Sequence, residues 1–352
     1  MKLTFLQPEW AWFLPAALVA VFLYRRMRRR PYLAISTADR LGEMAPRPSV
    51  LRRLFLLLLS LQGFACTKHK VEPAVVDAGA HQETSEKLFA KLGPLHRPLP
   101  LKTPGDWVSE HPEQPQTFWQ YVQSGPVRPT AKRGVIYVLP LGDFSIEQRA
   151  AVESAQLFLA AFYQLPVKAL SAVPSTEIPA DARRKNPATQ APQLHTRWVL
   201  DALLPPRVPA DAVAVLAFTP EDLYPDPAWN FVFGQASLTE RVGVWSINRF
   251  GDPVSEKPLF VTRTLKVAGH ELGHMFGLHH CSAHACVMNG SNSLPESDSQ
   301  PLELCPICLR KLQWNVGFDV RARFKGLRDF HKVSGLESER LFVEKSLEAL
   351  GP

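Results

Sequence analysis

A glutamate and four histidines fall within eleven residues of this chain, and three of the histidines have a spacing suited to holding a metal ion. His270 and His274 are four residues apart, so on a helix they project from one face and can reach a single cation. Gly277 lets the backbone leave the helix by a turn that a residue with a Cβ resists, and this brings His280 back to the same ion. Three imidazole ligands with a fourth position open are typical of catalytic zinc, so we expect zinc here.

Glu271 follows the first of these histidines and is the expected general base. Its carboxylate would take a proton from zinc-activated water during attack on a peptide carbonyl, and would then deliver the proton to the leaving amine. His279 adjoins His280 and is an alternative third ligand, but the spacing favours His280. The motif therefore predicts zinc-dependent hydrolysis of peptides or proteins. The alternative is a non-catalytic zinc-binding module that holds a partner, in which the Glu271 carboxylate would not be needed.

Four of the five cysteines form a second candidate metal site. Four residues separate Cys281 from Cys286, and two residues separate Cys305 from Cys308; two such pairs can build a tetrahedral zinc site. Two disulfides are the alternative, which export to an oxidising compartment would favour. A Cys-x-x-Cys disulfide is more often redox-active than structural, so we expect a structural zinc ion. His284, between the first two cysteines, is interpreted as a solvated loop residue.

The two motifs run together in the pattern of a known peptidase family. The run His280-Cys281-Ser-Ala-His-Ala-Cys286-Val-Met288, continued by Cys305-Pro-Ile-Cys308, resembles the archaemetzincins of the metzincin clan of zinc peptidases. The similarity extends over roughly residues 105–324. It implies two zinc ions, one catalytic and one structural, with the four cysteines as ligands of the second. It also implies that Met288 lies in a turn beneath the catalytic zinc and shapes the site without binding the metal.

The elements that must position these residues are typical of an α/β (α+β) fold. Apolar runs predict buried strands over residues 134–140, 211–219 and 241–248, and residues 146–164 predict an amphipathic helix. The resemblance implies a compact metzincin-like domain, in which a twisted mixed sheet packs with helices and the active-site helix ends at Gly277. We expect the catalytic domain over residues 105–325. Helical spacing of apolar residues predicts a C-terminal helical tail over residues 326–352.

The N-terminal part of the chain has a different composition. Residues 1–43 hold a candidate transmembrane segment of about 22 residues, followed by a basic cytoplasmic loop. Residues 44–66 resemble a signal peptide or a lipoprotein-type anchor, with Cys66 as the residue that would be lipidated. Translation from Met1 and translation from Met44 are both compatible with this pattern. Residues 67–104 are polar and rich in proline, and we interpret them as a flexible linker.

The charge distribution supports this interpretation. The formal net charge of +7 lies entirely in residues 1–53, which hold ten basic and three acidic side chains. The neutral remainder argues against binding of nucleic acid. The arginines instead predict a membrane-anchored or exported protein with its catalytic domain outside the cytoplasm, in a bacterial-type periplasm or cell envelope. We expect a monomer whose partners are a peptide or protein substrate and, through the N-terminal segment, the membrane. A membrane assembly factor is a further alternative that rests on this segment alone.

Overall fold

The computed structural model describes residues 32–35, 86–99 and 104–351. The candidate transmembrane segment, the signal or anchor segment with Cys66, and residues 67–85 of the expected linker lie outside the described residues. Among the residues that are described, no helix is both long enough and apolar enough to cross a membrane.

A six-stranded mixed sheet forms the centre of the molecule, in the order β1-β8-β9-β6-β2-β3. A smaller sheet has the order β4-β5-β7. The strands are β1 Tyr32–Ile35, β2 Val135–Pro140, β3 Val167–Ala169, β4 Arg183–Lys185, β5 Pro192–His195, β6 Ala212–Thr219, β7 Asp222–Tyr224, β8 Gly234–Ser237 and β9 Val242–Ser246. Strands β3, β2, β6 and β9 run parallel, whereas β8 runs antiparallel to β9 and β1 antiparallel to β8.

The three predicted strands correspond to β2, β6 and β9, the parallel centre of the large sheet. All eight residues of β6 are buried, as expected for a parallel strand covered on both faces. One face carries a core built mainly by helices and containing Phe158 and Leu272. The other face is covered by a cluster that contains Leu194 and Leu200. The fold is therefore a mixed α/β fold around a mixed sheet.

Nine helices surround the sheets in the described part of the chain, together with a helical segment at residues 86–90 and short 3-10 turns. They are α1 Trp107–Glu110, α2 Phe118–Gln123, α3 Ile146–Tyr163, α4 Thr196–Trp198 (continued by a π-helical turn, Val199–Leu203), α5 Lys257–Met275, α6 Leu294–Asp298, α7 Pro306–Val316, α8 Val320–Ser334 and α9 Glu337–Leu350. The predicted amphipathic helix is α3, which begins at a capping box of Ser145 and Gln148.

Helix α5 carries the histidine motif and packs directly on α3. The Tyr163 hydroxyl at the end of α3 donates to the carbonyl oxygen of Gly269 at 2.6 Å, and the Phe158 ring lies against the same glycine. Both aromatic side chains are fully buried. This contact fixes α5 against the core at the residue before His270 and about one turn before His274, so both histidines have a rigid support.

Two expected boundaries differ from the structure. Residues 86–99 are not a flexible linker: Phe89 and Leu92 are buried in the main core, and the carbonyl of Ala283 accepts a hydrogen bond from Leu99. The apolar residues of this segment have no regular spacing, so the sequence does not predict that they pack into the core. The boundary at residue 325 falls inside α8, and the helical tail contributes Leu327 and Val343 to the same core. Strand β1 falls in the stretch expected to be a cytoplasmic loop.

Candidate active site

The three motif histidines converge at the C-terminal end of α5. His270 and His274 lie on one face of the helix with their Nε2 atoms 2.9 Å apart. His280 follows the helix end and returns to them, so that one ring nitrogen from each of the three side chains falls in a group spanning at most 4.8 Å. The exposed His279 is not part of this group.

The outer nitrogen of each ring is engaged elsewhere. His270 donates from Nδ1 to the carbonyl oxygen of Val287 at 2.7 Å, and His274 donates from Nδ1 to that of Leu278 at 2.6 Å. Burial, assisted by the neighbouring imidazoles, lowers the pKa of His270 to about 3 and lowers that of His274 well below its usual value. Both rings are therefore neutral, with the Nε2 lone pair turned inward. This is the form in which histidine binds a metal ion.

The turn between α5 and His280 depends on Gly277. Its φ is +83°, and a Cβ at this position would lie 2.7 Å from Cβ of Pro126. The buried Tyr121 hydroxyl donates to the carbonyl oxygen of Phe276 at 2.8 Å, and Gln116 donates from Nε2 to that of Gly277 at 3.1 Å. Two side chains from α2 and the segment before it thus hold the turn that returns the third histidine.

Glu271 is buried, with 2% of its surface exposed, and its Oε2 atom has no hydrogen-bond partner. Burial raises the pKa of this carboxyl group to about 8. A cation at the adjacent histidines would lower that pKa again by direct attraction. Glu271 lines the same cavity as His270 and His280, so a buried, unpartnered acceptor and three converging ring nitrogens make an arrangement that fits a metal ion.

A cavity opens directly beside these groups. It is lined by His270, Glu271 and His280, and by apolar side chains that include Phe233, Phe250 and Leu294. Its polar lining includes the buried Lys266, one turn before His270, which donates from Nζ to the carbonyl oxygens of Ser297 at 2.5 Å and Gln300 at 2.7 Å. The cavity thus brings apolar side chains together with polar groups that converge near the histidines.

The four cysteines form a second cluster behind the histidines. All four are buried and none is joined in a disulfide, and their sulfur atoms lie within 4.8 Å of one another. Cys281 and Cys305 approach to 3.6 Å between sulfur atoms, close to the ~3.8 Å edge of a tetrahedron with ~2.3 Å zinc–sulfur bonds. Backbone amides of Met288 and Cys305 donate to Sγ of Cys286. These donors stabilise a thiolate at Cys286, the form in which cysteine binds zinc, against the burial that raises the pKa of the same thiol.

Met288 and His284 occupy distinct places around these clusters. Met288 is fully buried, and its Sδ atom would lie 2.5 Å from a Cβ at Gly273, so the glycine makes room for it against α5. This puts the methionine next to the histidine-bearing turn of the helix. His284 is half-buried rather than solvated, pairs through the backbone with Pro98, and lies outside both metal-compatible groups.

Several residues of the site carry no recognisable signal in the sequence. Glu113, with both carboxylate oxygens 3.0 Å from Nδ1 of His280, lies 167 residues before its partner. Tyr121 and Lys266 likewise have no local pattern that would single them out. Gln116 does stand in a short segment, Gln116-Thr-Phe, that resembles the archaemetzincins, but its contact with the turn is visible only in the structure.

Comparisons with known proteins relate the chain to one family of peptidases. Residues 196–314 match the model of Peptidase family M54. Archaemetzincin-2 of Macaca fascicularis is 37% identical over 287 residues, which cover 72% of this chain and 79% of that protein. Archaemetzincin-1 of Homo sapiens is 33% identical over 264 residues, which cover 65% of this chain and 52% of that protein. A crystal structure of archaemetzincin from Methanopyrus kandleri is similar over 53% of this chain and 97% of its own, with 32% identity and a TM-score of 0.43.

Proposed function

Since the chain belongs to the archaemetzincins, the zinc metallopeptidases of peptidase family M54, we propose that it cleaves peptide bonds at the three-histidine site with Glu271 as the general base. The observation that carries this proposal is the buried, unpartnered carboxylate oxygen of Glu271, a residue that lines the same cavity as His270 and His280. A module that merely held a partner would gain nothing from burying such a group, because an unsatisfied carboxylate costs free energy.

We propose His270, His274 and His280 as the protein ligands of the catalytic zinc. When bound, the ion would supply Lewis-acid activation of water and of the scissile carbonyl. The residues of the chain hold the rings in place through their Nδ1 hydrogen bonds and exclude bulk water by burial. Oε2 of Glu271 would accept the proton of the attacking water and return it to the leaving amine nitrogen. Met288 would form the floor of the site.

The decisive experiment is the substitution Glu271→Gln. The variant should keep its zinc and lose kcat by about 10²–10⁴-fold, because the amide preserves the shape of the side chain but cannot take the proton. The exposed Glu153 of α3 offers a matched control, since Glu153→Gln makes the same chemical change far from the motif. Activity is measured on a peptide library with and without chelator. Unreduced turnover in Glu271→Gln, or turnover that resists the chelator, would reject the assignment.

We further propose a second, structural zinc ion bound by Cys281, Cys286, Cys305 and Cys308. Support comes from the convergence of four buried sulfur atoms on one point, where two disulfides would need two separate pairs. Metal analysis of the purified full chain should give two zinc ions. One zinc ion together with no titratable thiols would favour the disulfides instead.

The location of the protein is a separate proposal. We infer from residues 1–66 that the chain is exported or membrane-anchored, with a monomeric catalytic domain outside the cytoplasm and with Cys66 as a candidate lipidation site. Cell fractionation and N-terminal sequencing of the mature protein test the proposal. A cytoplasmic, uncleaved chain would overturn it.

A further inference from the structure

The segment between α1 and α2 brings a carboxylate to the third histidine of the site. Both carboxylate oxygens of Glu113 lie 3.0 Å from Nδ1 of His280. We propose that Glu113 is a positioning residue, which fixes the ring orientation and the tautomer of His280 so that Nε2 is presented to the metal. This inference rests on the proposed role of His280 as a ligand.

His280 needs such a partner more than the other two histidines do. His270 and His274 are held on the rigid face of α5, and their Nδ1 atoms donate to backbone carbonyls. His280 instead lies beyond the helix, on irregular chain that follows a left-handed glycine. Its remaining ring contact outside the cluster is an edge-on approach to Trp107, with ring centroids 4.8 Å apart. The orientation of the His280 ring is therefore set largely by the segment of residues 107–116, which contains Trp107 and Glu113.

That segment is itself anchored on both sides of Glu113. On one side, the Trp107 backbone amide donates to Oε1 of Glu296 at 2.8 Å, and the Trp107 ring packs on Gly290. On the other side, Gln116 donates to the carbonyl of Gly277, and Lys311 donates from Nζ to the backbone carbonyl of Gln116. Proline at positions 112 and 115 stiffens the four residues around Glu113. The carboxylate is thus supplied in a fixed position.

A carboxylate on the outer nitrogen of a metal-binding histidine has a defined effect. It holds the proton on Nδ1, which leaves the Nε2 lone pair free, and it increases the basicity of the ring as a ligand. Loss of such a partner typically weakens metal binding about 10–100-fold. Glu113 is about two-fifths exposed, so the geometric effect on His280 is expected to exceed the electrostatic one.

The test is the zinc affinity of the histidine site in the full-length protein, measured by competition with a chelator in Glu113→Ala and Glu113→Gln. The alanine variant should bind the catalytic zinc about 10–100-fold more weakly than the parent. The glutamine variant, whose amide oxygen can still accept the Nδ1 proton, should lose less. Glu110→Gln is the matched control, because Glu110 ends α1 three residues before Glu113 and accepts from the backbone amide of Gly105. The control should remain within about twofold of the parent.

Two measurements keep the outcome interpretable. The zinc retained by the four cysteines reports whether a variant is folded. If Glu113→Ala loses that zinc, the zinc affinity of the histidine site in Glu113→Gln tests the role of Glu113 instead. His274→Ala establishes independently that the weaker-bound zinc belongs to the histidine site, so failure of the proposed function is recognised separately. An affinity in Glu113→Ala within twofold of the parent, or a loss equal to that of Glu110→Gln, would overturn the role of Glu113.

Discussion

The turn at Gly277 gives the sharpest stability prediction, because a chemically identical substitution is available elsewhere in the chain. Gly277 and Gly317 both have left-handed backbones, with φ of +83° and +82°. A Cβ at Gly317 would meet no atom within 4 Å, whereas at Gly277 it would lie 2.7 Å from Cβ of Pro126 and 3.5 Å from Cε2 of Tyr121. Alanine at the two positions thus differs mainly in the steric conflict.

The magnitudes follow from these two terms. Placing alanine in the left-handed region costs about 1–2 kcal/mol at either position. Two carbon atoms forced from 2.7 Å to van der Waals separation require a backbone shift, and overpacking of this kind costs about 1–3 kcal/mol more. Lower entropy of the unfolded chain offsets part of both losses equally. Gly277→Ala should therefore reduce the free energy of unfolding by about 1–3 kcal/mol more than Gly317→Ala.

Urea unfolding of both variants, with zinc present and at one pH, measures this difference. The backbone shift at residue 277 should also move His280 away from the other two histidines. Gly277→Ala should therefore lower the zinc affinity of the histidine site, whereas Gly317→Ala should leave that affinity unchanged. Equal loss of stability in the two variants would show that Pro126 yields without cost, and that the packing of the turn does not constrain the third ligand.

Three further outcomes are expected. Tyr121→Phe should reduce the free energy of unfolding, measured by urea titration, by about 2–4 kcal/mol. The substitution leaves the carbonyl of Phe276 and the side-chain amide of Asn315 without the hydroxyl that they contact. A loss under about 1 kcal/mol would mean that water replaces the hydroxyl. Cys305→Ser should lower the zinc content from two ions to one and keep the ion that His274→Ala removes; retention of both ions would contradict the four-cysteine site. Burial lowers the pKa of His96 from 6.5 to about 4. Between these two pH values the imidazole is therefore protonated in the unfolded chain and neutral in the folded chain. The contribution of His96 to stability should accordingly fall by about 2 kcal/mol from pH 7 to pH 5. His96→Gln should remove that part of the pH dependence, and equal slopes in the variant and the parent would refute the role of His96.

The sequence predicted the local parts of this molecule well. The histidine motif is visible because its members lie within eleven residues and because helix geometry brings positions four apart to one face. The strands β2, β6 and β9 are visible because parallel strands covered on both faces are continuous apolar runs. Each of these signals arises from neighbours along the chain.

The parts that could not be predicted depend on contacts between distant segments. Glu113 is one exposed-looking glutamate in a proline-rich stretch until its 167-residue separation from His280 is closed by the fold. Residues 86–99 looked like linker because two buried side chains, Phe89 and Leu92, suffice to dock them. Strand β4, the three basic residues Arg183–Lys185, has no apolar alternation and is defined only by its partner β5.

The turn that returns His280 to the site is held by side chains that lie far from it in the sequence. This separation also sets when the site can first form during synthesis. The Tyr121 hydroxyl donates to the carbonyl of Phe276, 155 residues later in the chain, and it accepts from the side-chain amide of Asn315, 194 residues later. At a synthesis rate of about 5–20 residues per second, the ribosome needs about 10–40 s to travel from Tyr121 to Asn315. A growing chain therefore first lacks the contact of Asn315 with the Tyr121 hydroxyl, which supports the histidine turn. The complete site can form only after Asn315 has been added.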